Sequence, residues 1–297
     1  MKRRLMKALK VVAGIVAVLF VLALIVAGPT FYRLFVGLGV YETVPPELPD
    51  HLNETAILVF SKTNGFRHEE AIPAAINAFE AIALRRGWST VVTDNGAVFN
   101  PEQLARFGAV VWNNTSGDVL TDEQKTAFRN YIEEGGGFVG IHGAGGDFSY
   151  KWKWYVDALV GAQFTHHTMN PQLQRTAVRI EDGTHPITHH LGTTWSHVDE
   201  WYSFATNPRQ KGFDILATID ERSYNPEFLW FESMGSDHPV MWCHRVANGR
   251  AFYSALGHPA SAYSEPEYVG ILENAIAWAA GLGERSIDEP AMPATTQ

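Results

Sequence analysis

The sequence has almost no cysteine. Its 297 residues contain one, Cys243, so no internal disulfide can form and any fold must stand on its own core. Cys243 lies in the apolar run "PVMWCHRV", which predicts a buried structural thiol. Basic residues are also scarce: 23 Lys and Arg against 32 Asp and Glu, a formal net charge of −9. No basic patch exists beyond the N-terminus, so phosphate-backbone binding lacks its cations and no nucleic-acid partner is expected. Several catalytic signatures are missing. There is no GxSxG nucleophile elbow, no HExxH and no Cys-rich zinc pattern. Neither a P-loop nor GxGxxG is complete, so no nucleotide cofactor is expected.

What is present begins with charge asymmetry. "MKRRLMKALK" carries five positive charges and no negative one, and Val11 to Gly28 carries none of either sign. Eighteen helical residues span about 27 Å, close to the apolar thickness of a bilayer. The expected organisation is a cytoplasmic basic segment (1–10), a transmembrane anchor (11–30), a juxtamembrane linker (31–54), an α/β domain (55–283) and a flexible tail (284–297). The positive flank places the main domain outside the cytoplasm, in the periplasm or at the cell surface. A cleaved signal peptide is the alternative. It would have a shorter apolar core, and Ile25-Val26-Ala27 offers a weak cleavage site. The linker "YETVPPELPDHLNE" is rich in proline and acid, with His51 in solvent.

From Thr55 onward the pattern alternates. "AILVF", "WSTVVT", "AVVWNN" and "FVGIH" are short continuous apolar runs, as in strands buried on both faces. "HEEAIPAAINAFEAIALRRG", "PEQLARF" and "TDEQKTAFRNYIEEGGG" between them read as helices with caps and glycine stops. This is a parallel α/β sheet with right-handed crossovers. After residue 165, "QLQRTAVRI", "DEWYSF", "DILATI", "PVMWCHRV" and "RAFYSAL" predict added antiparallel strands, before a closing helix "PEYVGILENAIAWAAG".

Ligands of open α/β sheets sit beyond the carboxyl ends of the strands. The first strand delivers "SKTNGFRH", with Asn64, Arg67 and His68; the third delivers Asn113; the fourth delivers His142 in "GIHGAGG". His142 stands at a strand–turn–helix elbow whose glycines allow close approach, although a histidine there can also simply cap the strand. "FTHHTMNP" adds His166 and His167, which point apart, and "DEWYSF" adds Glu200 on the same face as Tyr202, with Asp199 beside Trp201. Glu200 suits a general base, a metal ligand or a carbohydrate contact, and equally a partner for arginine. "ALGHPASAY" repeats the elbow with His258 and Tyr263. His185 and the Asp237-His238-Pro239 turn read as structural, His189 and His190 as exposed, and His244 either supports the site or fills the sheet face. Nine tryptophans and ten tyrosines are enough to line a sugar site or to fill a core.

Together, "GFRHEEAIPAA", "GGGFVGIHGAGG", "THHTMNP", "DEWYSF", "HPVMWCHRVANGRAFYSALGH" and "ILENAIAWAAG" resemble the ThuA-like (trehalose utilisation) family over about residues 55–281. The resemblance implies the class I glutamine amidotransferase-like superfamily and a flavodoxin-like three-layer α/β/α sandwich. It also implies a His-rich site for sugar-type ligands at His68, His142, Glu200 and His258. Amidotransferases of that superfamily carry Gly-x-Cys-x-Gly at the elbow. Here His142 replaces the cysteine, and an imidazole does not readily form the thioester that glutamine hydrolysis needs. The expected function is therefore a membrane-anchored protein acting on a sugar or keto-sugar partner of disaccharide or trehalose type. His142, Glu200 and His68 would be catalytic, and Asn64, Arg67, Asn113, Tyr202 and Tyr263 would contact substrate. His142, His166, His167, Glu200 and His258 suit a zinc-like divalent metal. Hydrolase, lyase and isomerase chemistry all stay open, as does a non-catalytic carbohydrate-binding or scaffold role.

Overall fold

The structure is a computed structural model and describes residues 2–148, 150–226 and 233–282. The tail expected at 284–297 lies outside the described residues. The chain opens with helix α1 (Lys2–Phe35), which runs through Pro29 and exceeds the expected 11–30 span at both ends. Proline removes one helical hydrogen bond, but apolar residues continue on both sides of it. Leu9–Phe35 is long and apolar enough to cross a membrane and is not buried by protein.

The sequence predicts a linker after α1. It lies along the domain under many restraints. The Leu38 N–H donates to the Asn64 carbonyl at 2.8 Å, and the Asn64 side chain returns a bond to the Val40 carbonyl at 2.9 Å. The Glu42 carboxylate pairs with Lys62 and accepts the Gly96 N–H at 2.8 Å. Gln103 and Arg106 bond the carbonyls of Pro46 and Pro49. His51 is exposed.

The domain begins with strand β1 (Ala56–Phe60), followed by α2 (Ala71–Arg86), β2 (Ser89–Thr93), α3 (Pro101–Leu104), β3 (Ala109–Asn113), α4 (Asp122–Glu133) and β4 (Gly137–Ile141). All five residues of β1, β3 and β4 are buried, as their unbroken apolar runs require. Burying a side chain such as Leu58 or Phe60 stabilises by roughly 1.5–3 kcal/mol. Local chemistry fixes the helix ends. Gly87 closes α2 in the left-handed conformation, and Thr121 with Gln124 forms a capping box on α4.

The second half runs β5 (Phe164–His167), β6 (Gln174–Ile180), β7 (Thr194–Asp199), β8 (Tyr202–Phe204), β9 (Asp214–Ile219), β10 (His238–Val246), β11 (Gly249–Ser254) and α5 (Pro266–Ala279). The main sheet has the order β2-β1-β3-β4-β11-β10-β9-β6-β7. The first five strands are parallel; β10, β9, β6 and β7 extend the sheet antiparallel. Helices α2 and α5 pack together against strands of the parallel region, and α3 packs on α4. The parallel order is the flavodoxin-like one, whose switch point lies between β1 and β3.

One expectation needs correction. "DEWYSF" is not a single strand. The chain leaves the main sheet after Asp199, and Tyr202–Phe204 pairs with β5 in a separate two-stranded sheet. The cause is local. The Asp199 carboxylate accepts the Glu200 N–H at 2.8 Å, and the Trp201 N–H turns to the Thr168 hydroxyl at 3.2 Å, so neither amide continues the ladder.

Most of the aromatic content is core. Trp112 stacks on Phe128 and Tyr155, with ring centroids 5.4 and 4.8 Å apart. Trp201 and Trp242 are fully buried. Cys243 is buried in β10 as expected, and burial pushes its thiol pKa up.

Candidate functional site

The carboxyl ends of β1, β4 and β11 and the break between β7 and β8 converge on one buried polar cluster. Each element holds its side chain in a different way. His142 follows β4 with φ of 44°, a left-handed backbone unusual for a residue with a Cβ. Three contacts fix it. Its Nδ1 lies 2.7 Å from the Ala255 carbonyl, to which the Nδ1–H donates. Its own carbonyl accepts the Tyr253 hydroxyl at 2.9 Å. The Tyr202 ring stacks on the imidazole at 4.1 Å. With Nδ1 donating, the Nε2 lone pair faces inward.

His258 follows β11, and its Nδ1 lies 3.2 Å from His142 Nε2 and 3.1 Å from Glu200 Oε2. Glu200 Oε2 is also 3.4 Å from His142 Nε2, while Oε1 is 3.0 Å from His167 Nδ1. Gln172 donates to the same Oε1. His68, delivered after β1, sets its ring edge-on to His142 and His258 at 4.8 and 5.0 Å. Gly143 makes that approach possible, because a Cβ there would stand 3.1 Å from both the His68 ring and the Asn114 carbonyl.

One donor atom each from His68, His142, Glu200 and His258 lies within 4.8 Å of the others. Burial opposes ionisation of Glu200, but hydrogen bonds from His167 and His258 hold its carboxyl far below the ordinary range. Burial depresses His258 and His167, and bonding to Glu200 outweighs it and raises both. His68 is pushed well below its ordinary value by burial and by the neighbouring imidazoles. Its Nδ1 is buried with no hydrogen-bond partner among the described residues. An orphaned imidazole nitrogen beside an inward lone pair and an ionised carboxylate is a donor set that either shares protons or holds a divalent cation.

A second set of bonds positions the first. The buried Asp199 carboxylate accepts the Gly257 N–H at 2.7 Å and the His258 N–H at 3.0 Å, besides that of Glu200. His197 bridges Asp199 and Glu265 at 2.9 and 2.6 Å. One carboxylate thus ties the loop bearing His258 to the residue bearing the site's charge. The sequence pattern singles out Glu200 and places Asp199 only beside Trp201. The adjacent acids in "HVDEW" were the available signal.

The other expected residues are placed differently. His167 touches Glu200 but falls outside the four-donor set, and His166 lines the neighbouring cavity. Asn64 bonds the Val40 and Asp118 carbonyls. Asn113 bonds Ser61 and the Ile72 carbonyl. Tyr263 donates to the Gly257 carbonyl at 2.9 Å. These three brace the loops around the cluster. Arg67 pairs with Glu69 at the surface. His244 is remote: it stacks on Phe213 at 3.6 Å and bonds the Ala158 carbonyl. Cys243 lies 3.6 Å from His185 rather than in the cluster.

Over the cluster opens a cavity of about 640 Å³, whose lining includes His68, His167, Glu200, Tyr202, Phe66 and Phe148. Leu34 and Phe35, at the end of α1, also line it.

A flavodoxin-like domain with an imidazole where amidotransferases hold a thiolate, and a carboxylate supplied by an added antiparallel region, defines a class of amidotransferase-like fold with a different site. The chain belongs to the ThuA family, described as trehalose utilisation, which it matches over residues 56–279. Among solved structures it is similar to a ThuA-like protein from Bacteroides uniformis, with 24% identity, a TM-score of 0.67, and coverage of 80% of this chain and 95% of that one. A ThuA-like protein from Parabacteroides merdae is similar at 20% identity and a TM-score of 0.57, covering 76% and 90%. A cytoplasmic protein from Salmonella typhimurium, STM1381, matches at 13% identity and a TM-score of 0.52, covering 76% and 99%. At these identities the solved structures establish the fold. No curated protein matches the chain.

Proposed function

We propose that this ThuA-family protein is anchored in the membrane by α1, lies outside the cytoplasm, and acts on a sugar or keto-sugar of disaccharide type. The observation that carries the reading is the four-donor set of His68, His142, Glu200 and His258 within 4.8 Å, two of whose members, His68 and Glu200, line a ligand-sized cavity. The family's trehalose-utilisation description supports the substrate class. The five positive charges ahead of the apolar helix support the topology.

In this reading each residue has a task. Glu200, ionised, accepts a proton from a sugar hydroxyl or from a carbon beside a ketone. His258, whose Nδ1 faces both Glu200 and His142 Nε2, passes protons between them and the substrate. His142 keeps its Nε2 lone pair inward through the bond to Ala255. Tyr202 presents an aromatic wall beside the reacting group. Among the described residues, the orphaned nitrogen of His68 fits a divalent ion held with His142, Glu200 and His258. Such an ion would polarise a hydroxyl or carbonyl oxygen.

The test is a screen of disaccharides and 3-keto-glycosides against the full chain, with and without divalent ions, alongside His142→Ala and Glu200→Gln. Turnover by the wild type that both substitutions abolish is the expected result. Ligand binding that survives both substitutions, with no turnover by the wild type, would replace the enzymatic reading with a binding one.

A further inference from the structure

The cavity above the cluster has two unlike parts. Its base is polar, with His68, His167 and Glu200. The rest of its lining is mixed: Ser116, Asp147, Thr165 and Gln172 are polar, while Leu34, Phe35, Phe66, Phe148, Phe164 and Met169 form an apolar side that offers no hydrogen-bond partner through its side chains. Hydroxyls placed against that apolar side would lose their bonds to water and gain none. An apolar aglycone or acyl chain would gain about 0.8 kcal/mol for each methylene it buries there.

The wall is also continuous with α1. Phe35 packs on Phe148 with ring centroids 5.6 Å apart, and the Leu38 N–H bond to Asn64 fixes the helix end beside the site. About 20 helical residues cross a bilayer's apolar core. Counted from Leu9, they end near residue 28. The helix continues to Phe35, about 10 Å further at 1.5 Å per residue, which is headgroup depth. Phe31, Tyr32 and Phe35 there are exposed, and Tyr32 is an aromatic of the kind that anchors at the interface. Phe66, Phe148 and Met169, at the cavity, are also exposed, so the cavity presents apolar side chains on the side where the helix meets the domain.

We infer that the substrate is an amphipathic glycoside taken from the membrane surface, its sugar on the His/Glu cluster and its apolar chain along the Phe35–Phe148 wall. This rests on the carbohydrate reading and on α1 spanning the membrane, and it narrows both to a lipid-like substrate class.

The experiment uses the full chain in lipid nanodiscs and measures binding of n-alkyl β-D-glucosides from methyl to octyl by equilibrium dialysis against empty discs. n-Alkanols of the same lengths form a second series. Kd should fall by up to about fourfold per added methylene, glucosides should bind more tightly than the matching alkanols, and a Phe66→Ser/Phe148→Ser variant should flatten the dependence. A photoreactive dodecyl glucoside embedded in the disc should crosslink to the cavity wall. A Kd independent of chain length would overturn the inference and, where methyl glucoside still binds, leave the carbohydrate reading standing. Alkanols binding as tightly as glucosides would overturn both. Binding by none of the probes, or crosslinking only by a freely soluble octyl analogue, would overturn the inference of a membrane-derived glycoside.

Discussion

The two halves of the main sheet contribute to the site by different means. The parallel half supplies three imidazoles, His68, His142 and His258, from loops after β1, β4 and β11. Backbone geometry sets them: a left-handed residue at His142, a glycine at 143 and a carbonyl at Ala255. The antiparallel half supplies the single carboxylate, Glu200, at a point where the chain has left the ladder. Side chains set it, chiefly Asp199 and Gln172. A shared fold therefore gives the frame, and the appended strands give the carboxylate that stands beside the imidazole of the elbow.

If the carboxylate is the reactive contribution of the added half, Glu200→Gln should have the largest effect. Turnover should drop by about 10²–10⁴-fold, the range for a lost general acid or base, with the far-ultraviolet circular dichroism unchanged. A smaller drop would move the chemistry toward the parallel half.

Asp199→Asn tests the junction. Asp199 is fully buried and joins Glu200, the Gly257–His258 loop and His197. Breaking a buried charged pair costs about 3–5 kcal/mol, to be read from chemical denaturation. Loss of turnover with no loss of stability would make Asp199 part of the reaction rather than a positioning residue.

Gly143→Ala tests the parallel half alone. The new Cβ must displace the His68 ring or the Asn114 carbonyl, and overpacking of this kind costs about 1–3 kcal/mol. Weaker ligand binding should accompany that loss in the same denaturation and binding assays.

The smallest effect belongs to a histidine outside the site. Burial depresses the His244 pKa to about 4 from 6.5, with the bond to the Ala158 carbonyl opposing it. Between those values the unfolded chain takes up a proton that the folded chain refuses. Stability is therefore full above about pH 6.5, declines as pH falls toward 4, and levels off below. His244→Phe should remove about 1–2 kcal/mol of that acid sensitivity at pH 5, measured as the difference in unfolding free energy between pH 7 and pH 5. An unchanged pH slope would show that His244 titrates normally.

The same division explains what could be read from sequence. Continuous apolar runs such as "AILVF" and "FVGI", each followed by glycine or polar residues, announce the parallel strands and point directly at His142. Alternation in "QRTAVRI" announces β6, with every second residue buried. The break at Glu200 could not be read this way. "DEWYSF" alternates well enough for a strand, and what ends it is Asp199 capturing the next amide, a side-chain choice that only the tertiary setting settles. Asn64, Asn113 and Tyr263 were reached by the right rule, since loops after strands do surround the site. Their polar atoms instead serve neighbouring carbonyls and side chains, a demand that no local pattern records. The strap from Leu38 to Pro49 was equally hidden, because its partners lie dozens of residues away.

The claim that both halves build one centre is tested most directly by calorimetric titration of zinc into chelator-treated, untagged full chain. The account predicts one ion per chain, with affinity reduced by His142→Ala from the parallel half and equally by Glu200→Gln from the antiparallel half. Binding that only one of the two substitutions weakens, or that neither weakens, would contradict it.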